Sequence, residues 1–380
     1  MESRQDGIAS GQNLLDEQEP TLLTNEEVEE LDEAEAEVEG VTYSGADFDA
    51  EGLVRRLSRG DIVIPNFGHG DASLEVEAFQ RSFVWRRPQM DRFIESLLLG
   101  YPIPGIMLVQ QADKRYLVLD GQQRLKTLEA FYNGIHNKVE FVLDNVAKQF
   151  KGLTYKSLNP EQRRTLDNTF ITATIVRTDG TKESLEAVYQ VFERLNSGGT
   201  QLTPHEIRIA LYPGALVNLL TRLNDLEPWR VLYGPKSPRV RDHELVLRII
   251  ALYSRAAEYH TPLKKFLNDF LGDHRELSKL DGAALALLFE KSAYALFNAG
   301  ARPMLRRPTR VNVALLEAVF VATMRRLGSG MSDDPDIIRR ALDELATDDK
   351  LIPAISRATA REENVRDRLD RASRALMADA

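Results

Sequence analysis

Apolar and polar positions along the chain follow two periods, and the change from one to the other divides it. Residues 74–79, Leu-Glu-Val-Glu-Ala-Phe, alternate strictly, which is the period of a half-buried strand. A helix is predicted next. Pro88 suits its first turn, and Met90, Phe93, Ile94, Leu97 and Leu98 share one face. Gly100 stands where a C-terminal cap belongs, and Tyr101-Pro102-Ile103-Pro104 prevents continuation. Residues 106–109 and 116–119 are apolar runs joined by a polar turn, so they read as a hairpin. Leu125, Leu128, Phe131 and Tyr132 then form a helical face that stops at Asn133-Gly134. Residues 141–143 are a short strand candidate, residues 151–168 are polar, and residues 170–176 have the look of another strand.

From Glu183 onward the period is helical. Leu185, Val188, Tyr189, Phe192 and Leu195 share a face, and Thr203-Pro204-His205-Glu206 is a capping box with proline at the first helical position. Residues 244–254, 283–299 and 313–327 continue the helical pattern, without internal repeats. The predicted class is α+β: a small mixed sheet over residues 53–180, followed by an all-helical region over residues 181–380.

Charge changes the picture at one end. Residues 1–50 hold 16 acidic side chains against one basic residue, Arg4, so they carry −15 of a total of −9 and leave +6 on the remainder. Like charges this dense repel rather than fold, so residues 1–50 are expected to be a disordered acidic tail with order starting near Leu53. A mildly basic body suits a phosphate-bearing partner, although ordinary surface lysines and arginines give the same balance. The chain has no cysteine, which excludes disulfides, thiolate metal sites and cysteine nucleophiles and fits a reducing cytosol. No run approaches the roughly 20 apolar residues a membrane span needs, and the first residues lack a secretory pattern, so a cytoplasmic location without membrane contact is expected.

The sharpest chemical feature is the junction at Asp120-Gly121-Gln122-Gln123-Arg124, where a strand runs directly into an amphipathic helix. Such a junction presents free backbone N–H groups at a helix N-terminus, where the dipole favours an anion. Gly121 lets the turn bend and a ligand approach, and Arg124 can fork onto a phosphate. Gln122 and Gln123 add neutral donors and acceptors, and Asp120 can hold a metal ion or a ribose hydroxyl. A plain strand–turn–helix connection with Asp120 as N-cap satisfies the same spacing. The six histidines, at 69, 136, 205, 243, 260 and 274, show no metal-ligand spacing. No Gly-x-x-x-x-Gly-Lys-Ser/Thr loop is present, so nucleotide chemistry here is not of the P-loop type.

Four elements in order carry a resemblance. They are Gln80-Arg81-Ser82-Phe83-Val84-Trp85, the Leu97 to Ile106 helix end with its Pro-x-Pro, Val118 to Leu125 around the Asp-Gly-Gln-Gln-Arg motif, and Phe192-Glu193-Arg194-Leu195-Asn196 followed by Gly198, Leu202-Thr203 and Glu206. Together they resemble the N-terminal domain family of GmrSD-type, modification-dependent restriction enzymes, placed among ParB-like proteins. The resemblance implies a ParB-like fold whose Asp-Gly-Gln-Gln-Arg loop binds nucleotide or nucleic-acid phosphate. Gln80, Arg81, Gly121, Gln122, Gln123 and Arg124 would line the pocket, and Asn196 would support it. It also implies hydrolysis of a nucleoside triphosphate with Mg2+. Asp120, Arg124 and Glu206 are then the catalytic candidates: Arg124 and backbone amides on phosphate, the carboxylates of Asp120 and Glu206 serving a metal ion, placed at Asp120, and the attacking water.

Relatives often continue into a His-Asn-His nuclease, and no such unit is visible in this sequence. The leading expectation is therefore a phosphate-binding regulatory subunit, and a nucleoside triphosphatase, of a restriction or anti-phage system that acts with a separate nuclease. A non-catalytic module that senses modified DNA and a ParB-like nuclease are the alternatives.

Overall fold

Regular structure is present ahead of Leu53, in a segment expected to belong to the acidic tail. The computed structural model describes residues 41–64, 85–111, 113–195, 202–237, 239–306 and 311–378. Strand β1 (Tyr43–Asp49) pairs antiparallel with β7 (Phe170–Arg177) along its whole length, from Tyr43 opposite Val176 to Asp49 opposite Phe170. Its order comes from a partner far away in sequence, which explains why local composition misleads. Asp49 then caps helix α1 (Ala50–Ser58) by accepting from the Gly52 N–H at 2.6 Å.

The five-stranded sheet has the order β1-β7-β3-β4-β2, with β2 at Ile62–Val63, β3 at Ile106–Gln110 and β4 at Tyr116–Asp120. The expected hairpin is β3–β4, antiparallel, while β3–β7 and β2–β4 are parallel, so the sheet is mixed. The register slips between Met107 and Leu108, which places Met107 opposite Asp120 at the strand end. Helix α2 (Arg87–Leu98) has Pro88 in its first turn and Gly100 at a positive φ just beyond its end. Helix α3 (Gln122–Asn133) ends on Gly134, also left-handed. Leu53, Ile94, Leu97, Leu108, Val118, Leu125, Leu128 and Phe131 are fully buried in one apolar cluster that joins these helices to the sheet.

Two local expectations differ. Residues 141–143 are not a strand; the strands nearby are β5 (Ile135–His136) and β6 (Val139–Glu140), a separate small hairpin. Phe141 and Leu143 are instead buried anchors, Phe141 edge-on against Phe131 at 5.3 Å. The polar stretch is not featureless either. Helix α4 (Pro160–Asp167) lies within it, opened by a reciprocal cap between Asn159 and Gln162. Helix α5 (Lys182–Leu195) follows β7. The strand expected at residues 74–79 lies outside the described residues.

The chain divides after Gln201 into a sheet-bearing unit and a helical unit. The helical unit comprises α6 (Pro204–Leu211), α7 (Ala215–Asn224), α8 (Glu227–Tyr233), α9 (Arg241–Arg255), α10 (Leu263–His274), α11 (Gly282–Asn298), α12 (Arg302–Leu305), α13 (Val313–Gly328), α14 (Pro335–Ala346), α15 (Leu351–Ser356) and α16 (Glu362–Met377). Helix α13 is its axis, apolar almost all round and packed against α9, α11 and α16. Trp229, Phe289 and Phe320 meet beside it with ring centroids 4.4–5.6 Å apart. The α+β class, with a small mixed sheet and then helices, is as the sequence predicts. Among the described residues no helix is long and apolar enough to cross a membrane.

Candidate functional site

The end of β4 delivers Asp120 to the surface, and Gly121 turns the chain into α3. Val118 is fully buried and Leu119 nearly so, whereas the Asp120 side chain is 63% exposed. Gly121 sits at φ +92°, and a Cβ there would lie 2.5 Å from Ile106 Cγ2, so only glycine fits under the first residue of β3. The N-cap residue, Gly121, has no side chain to cap α3, and the first helical hydrogen bond is the Leu125 N–H onto the Gly121 carbonyl. The leading amides of Gln122 and Arg124 thus have no acceptor within the helix, and Gly121 supplies no capping side chain to the positive end of its dipole.

Arg124 does two things at once. Its Nη1 donates to the carbonyls of Pro104 (2.5 Å) and Gly105 (2.7 Å), and its Nη2 donates to Asp120 Oδ2 at 2.7 Å. The Arg124 side chain is 12% exposed and Asp120 is open to solvent, and the bonds are charge-assisted. They answer the electrostatic cost of an arginine in the first turn, tie the Pro-x-Pro segment to the helix start, and fix one oxygen of Asp120. The Nε–H and the second Nη2–H, one edge of the fork, have no partner among the described residues. Gly105 makes this clamp feasible, because a Cβ there would lie 2.6 Å from the Thr172 carbonyl oxygen on β7.

The two glutamines sit differently. Gln123 accepts from the Trp85 N–H at 3.4 Å, and Trp85 packs edge-on against Phe93 at 5.5 Å, so this tryptophan is bound into the core. Gln122 is half-buried. One residue the sequence reading passed over is Lys126. It follows Gln122 by one helical turn, and burial lowers its affinity for a proton while Glu129 opposes that shift. Its position four residues after Gln122 was the available signal.

The remaining candidates are placed elsewhere. Gln80, Arg81 and Asn196 lie outside the described residues. Glu206 belongs to the helical unit, where it is fully buried. Its Oε2 accepts from the Thr203 N–H at 2.7 Å and lies 3.3 Å from Arg239 Nη2, while its own N–H donates to Thr203 Oγ1 at 3.1 Å. The structure therefore brings Asp120, Gly121, Gln122, Gln123 and Arg124 together on one turn, and gives Glu206 a capping and ion-pairing role of its own.

Among the described residues no group of three or more histidine, aspartate or glutamate side chains is gathered to hold a metal ion. A Mg2+ ion bound with a nucleotide needs fewer, because phosphate oxygens and water complete its shell. Asp120, with its side chain 63% exposed, would offer Oδ1 to such an ion, while Arg124 holds Oδ2.

Residues 64–213 match the family described as GmrSD restriction endonuclease, N-terminal domain. No curated protein and no solved structure matches the chain.

Proposed function

We propose, on the match of residues 64–213 to the GmrSD restriction endonuclease N-terminal domain, that the turn from Asp120 to Arg124 binds the phosphate of a nucleoside triphosphate in a restriction system. The observation that carries this reading is the turn itself. A glycine with no room for a side chain leads into a helix that its N-cap residue leaves without a side-chain cap, beside an exposed carboxylate and a guanidinium with donors left over. A phosphate set there meets the leading amides of α3 and the free edge of Arg124. Asp120 Oδ1 would hold Mg2+, which supplies neutralisation of the phosphate charge. The chain's own share of the chemistry is positioning: Arg124 fixes Asp120 and the Pro104-Gly105 carbonyls, so the site is set before the ligand arrives. Under this reading the chain regulates a separate nuclease.

The test is equilibrium binding of labelled nucleoside triphosphates with Mg2+ to the full chain, with plain and modified DNA duplexes as competitors. Saturable nucleotide binding that weakens in Asp120→Asn, with an unchanged melting temperature, is the expected result. Binding of duplex but of no nucleotide would favour the non-catalytic DNA-sensing alternative and overturn the proposal.

A further inference from the structure

Two histidines that the phosphate site does not use are buried against each other in the helical unit. His205 opens α6 and His243 opens α9, with exposures of 1% and 5%. His205 Nε2 and His243 Nδ1 are 2.7 Å apart. The ends of the chain of bonds fix where the protons sit. Arg208 Nη1, 3.3 Å from His205 Nδ1, has only protons to offer, so that nitrogen accepts. At the other end the Thr221 hydroxyl donates to the Val217 carbonyl at 3.0 Å, so its oxygen accepts from His243 Nε2 at 3.2 Å. One arrangement satisfies these contacts together: both rings are neutral, each carries its proton on Nε2, and His205 donates to His243.

A third proton has no place to go. On His205 Nδ1 it would face the Arg208 N–H, and on His243 Nδ1 it would face the His205 N–H. Nearby carboxylates are already engaged. Glu206 on α6 pairs with Arg239 at 3.3 Å, and Asp242 on α9 pairs with Arg230 at 2.6 Å. Glu244 on α9 lies 3.7 Å from Arg208 and 4.0 Å from Arg248. Helix α7 contributes the neutral Thr221, and α10 contributes Asn268, bonded to Arg208 at 2.8 Å, and the buried Lys264. Burial first, and then His243, Arg208 and Arg248, hold the proton affinity of His205 well below that of an ordinary imidazole.

We propose that the His205–His243 pair is an acid-sensitive latch that joins α6, α7 and α9 while both rings are neutral. It rests on no part of the phosphate-site reading. The unfolded rings take up protons near pH 6.5, and the folded pair resists doing so. The unfolded state therefore binds more protons as the pH falls. The latch contributes its full stability above about pH 6.5 and loses it progressively below. His274, buried at the end of α10 with its proton affinity also lowered, adds to the same slope and must be separated from it.

The experiment uses the full chain in urea at pH 7.5 and 5.5, as wild type, His205→Gln and His274→Gln. Glutamine keeps a donor and an acceptor but does not titrate. Between these two pH values the unfolding constant should rise about tenfold more in wild type than in His205→Gln, the effect of one imidazole kept neutral by folding. His274→Gln should retain the share that belongs to the pair. Imidazole 15N spectra of the wild type should report Nε2–H tautomers for both rings and no titration down to pH 5.5, a readout that needs no variant to fold. Ordinary titration of either ring near pH 6.5, or a His205→Gln protein with the full wild-type pH dependence, overturns the latch.

Discussion

The two units use charge in opposite ways. In the sheet-bearing unit, Asp120 is 63% exposed, and Arg124 spends part of its fork on backbone carbonyls while keeping one edge unused. In the helical unit, charge is buried and answered. Arg368 and Glu317, exposed by 2% and 1%, meet at 2.5 Å, with Arg248 3.6 Å from the second Glu317 oxygen. Glu206 is committed to Thr203 and Arg239. A buried charge held by an opposite charge has less left for a ligand, and removing one partner strands the other. A half-answered charge at a helix start is poised for an anion. The contrast gives the helical network a structural duty and supports the proposed ligand duty of the Asp120 turn.

The strongest way to break this comparison is inside the helical network. Arg368→Ala leaves Glu317 with Arg248 alone and should destabilise the unit by about 3 kcal/mol, read as a shifted urea midpoint. A loss under about 1 kcal/mol would mean that water or a neighbour replaces the pair. Next comes Gly121→Ala, which forces a side chain to a positive φ and into Ile106. It should cost at least about 2 kcal/mol and abolish nucleotide binding. A stable Gly121→Ala protein that still binds nucleotide would remove the turn from the site. Smaller again is Thr203→Ala, which takes one cap from α6 and should cost about 1 kcal/mol by thermal unfolding. It should leave nucleotide affinity unchanged, and a change would show that the second motif reaches the ligand after all.

Much of this was legible in the sequence, for reasons particular residues make plain. The β3–β4 hairpin, α2, α3 and the capping box at Thr203 rest on local periodicity and on glycines or prolines at their ends, which a linear reading sees. Strand β1 does not, because its seven residues hold two aspartates and a glycine and gain order from β7. Helix α4 was missed although Asn159-Pro160 and Gln162 spell its cap, since its polarity outweighed that signal. At the site, Asp120 to Arg124 announced itself as a motif. The Pro104 and Gly105 carbonyls could not, because backbone acceptors leave no trace in residue identity. The same holds for Glu206, whose burial depends on Arg239, 33 residues further on.

The central claim, that a phosphate is bound at the Asp120 turn with the help of Arg124, is tested most directly by titrating Mg2+–nucleotide into the full chain beside Arg124→Lys. Lysine keeps the charge but cannot hold two carbonyls, Asp120 and a phosphate together. The account predicts that Arg124→Lys folds and that its affinity falls at least about tenfold, the worth of one charged hydrogen bond. Equal affinity in wild type and Arg124→Lys would contradict it.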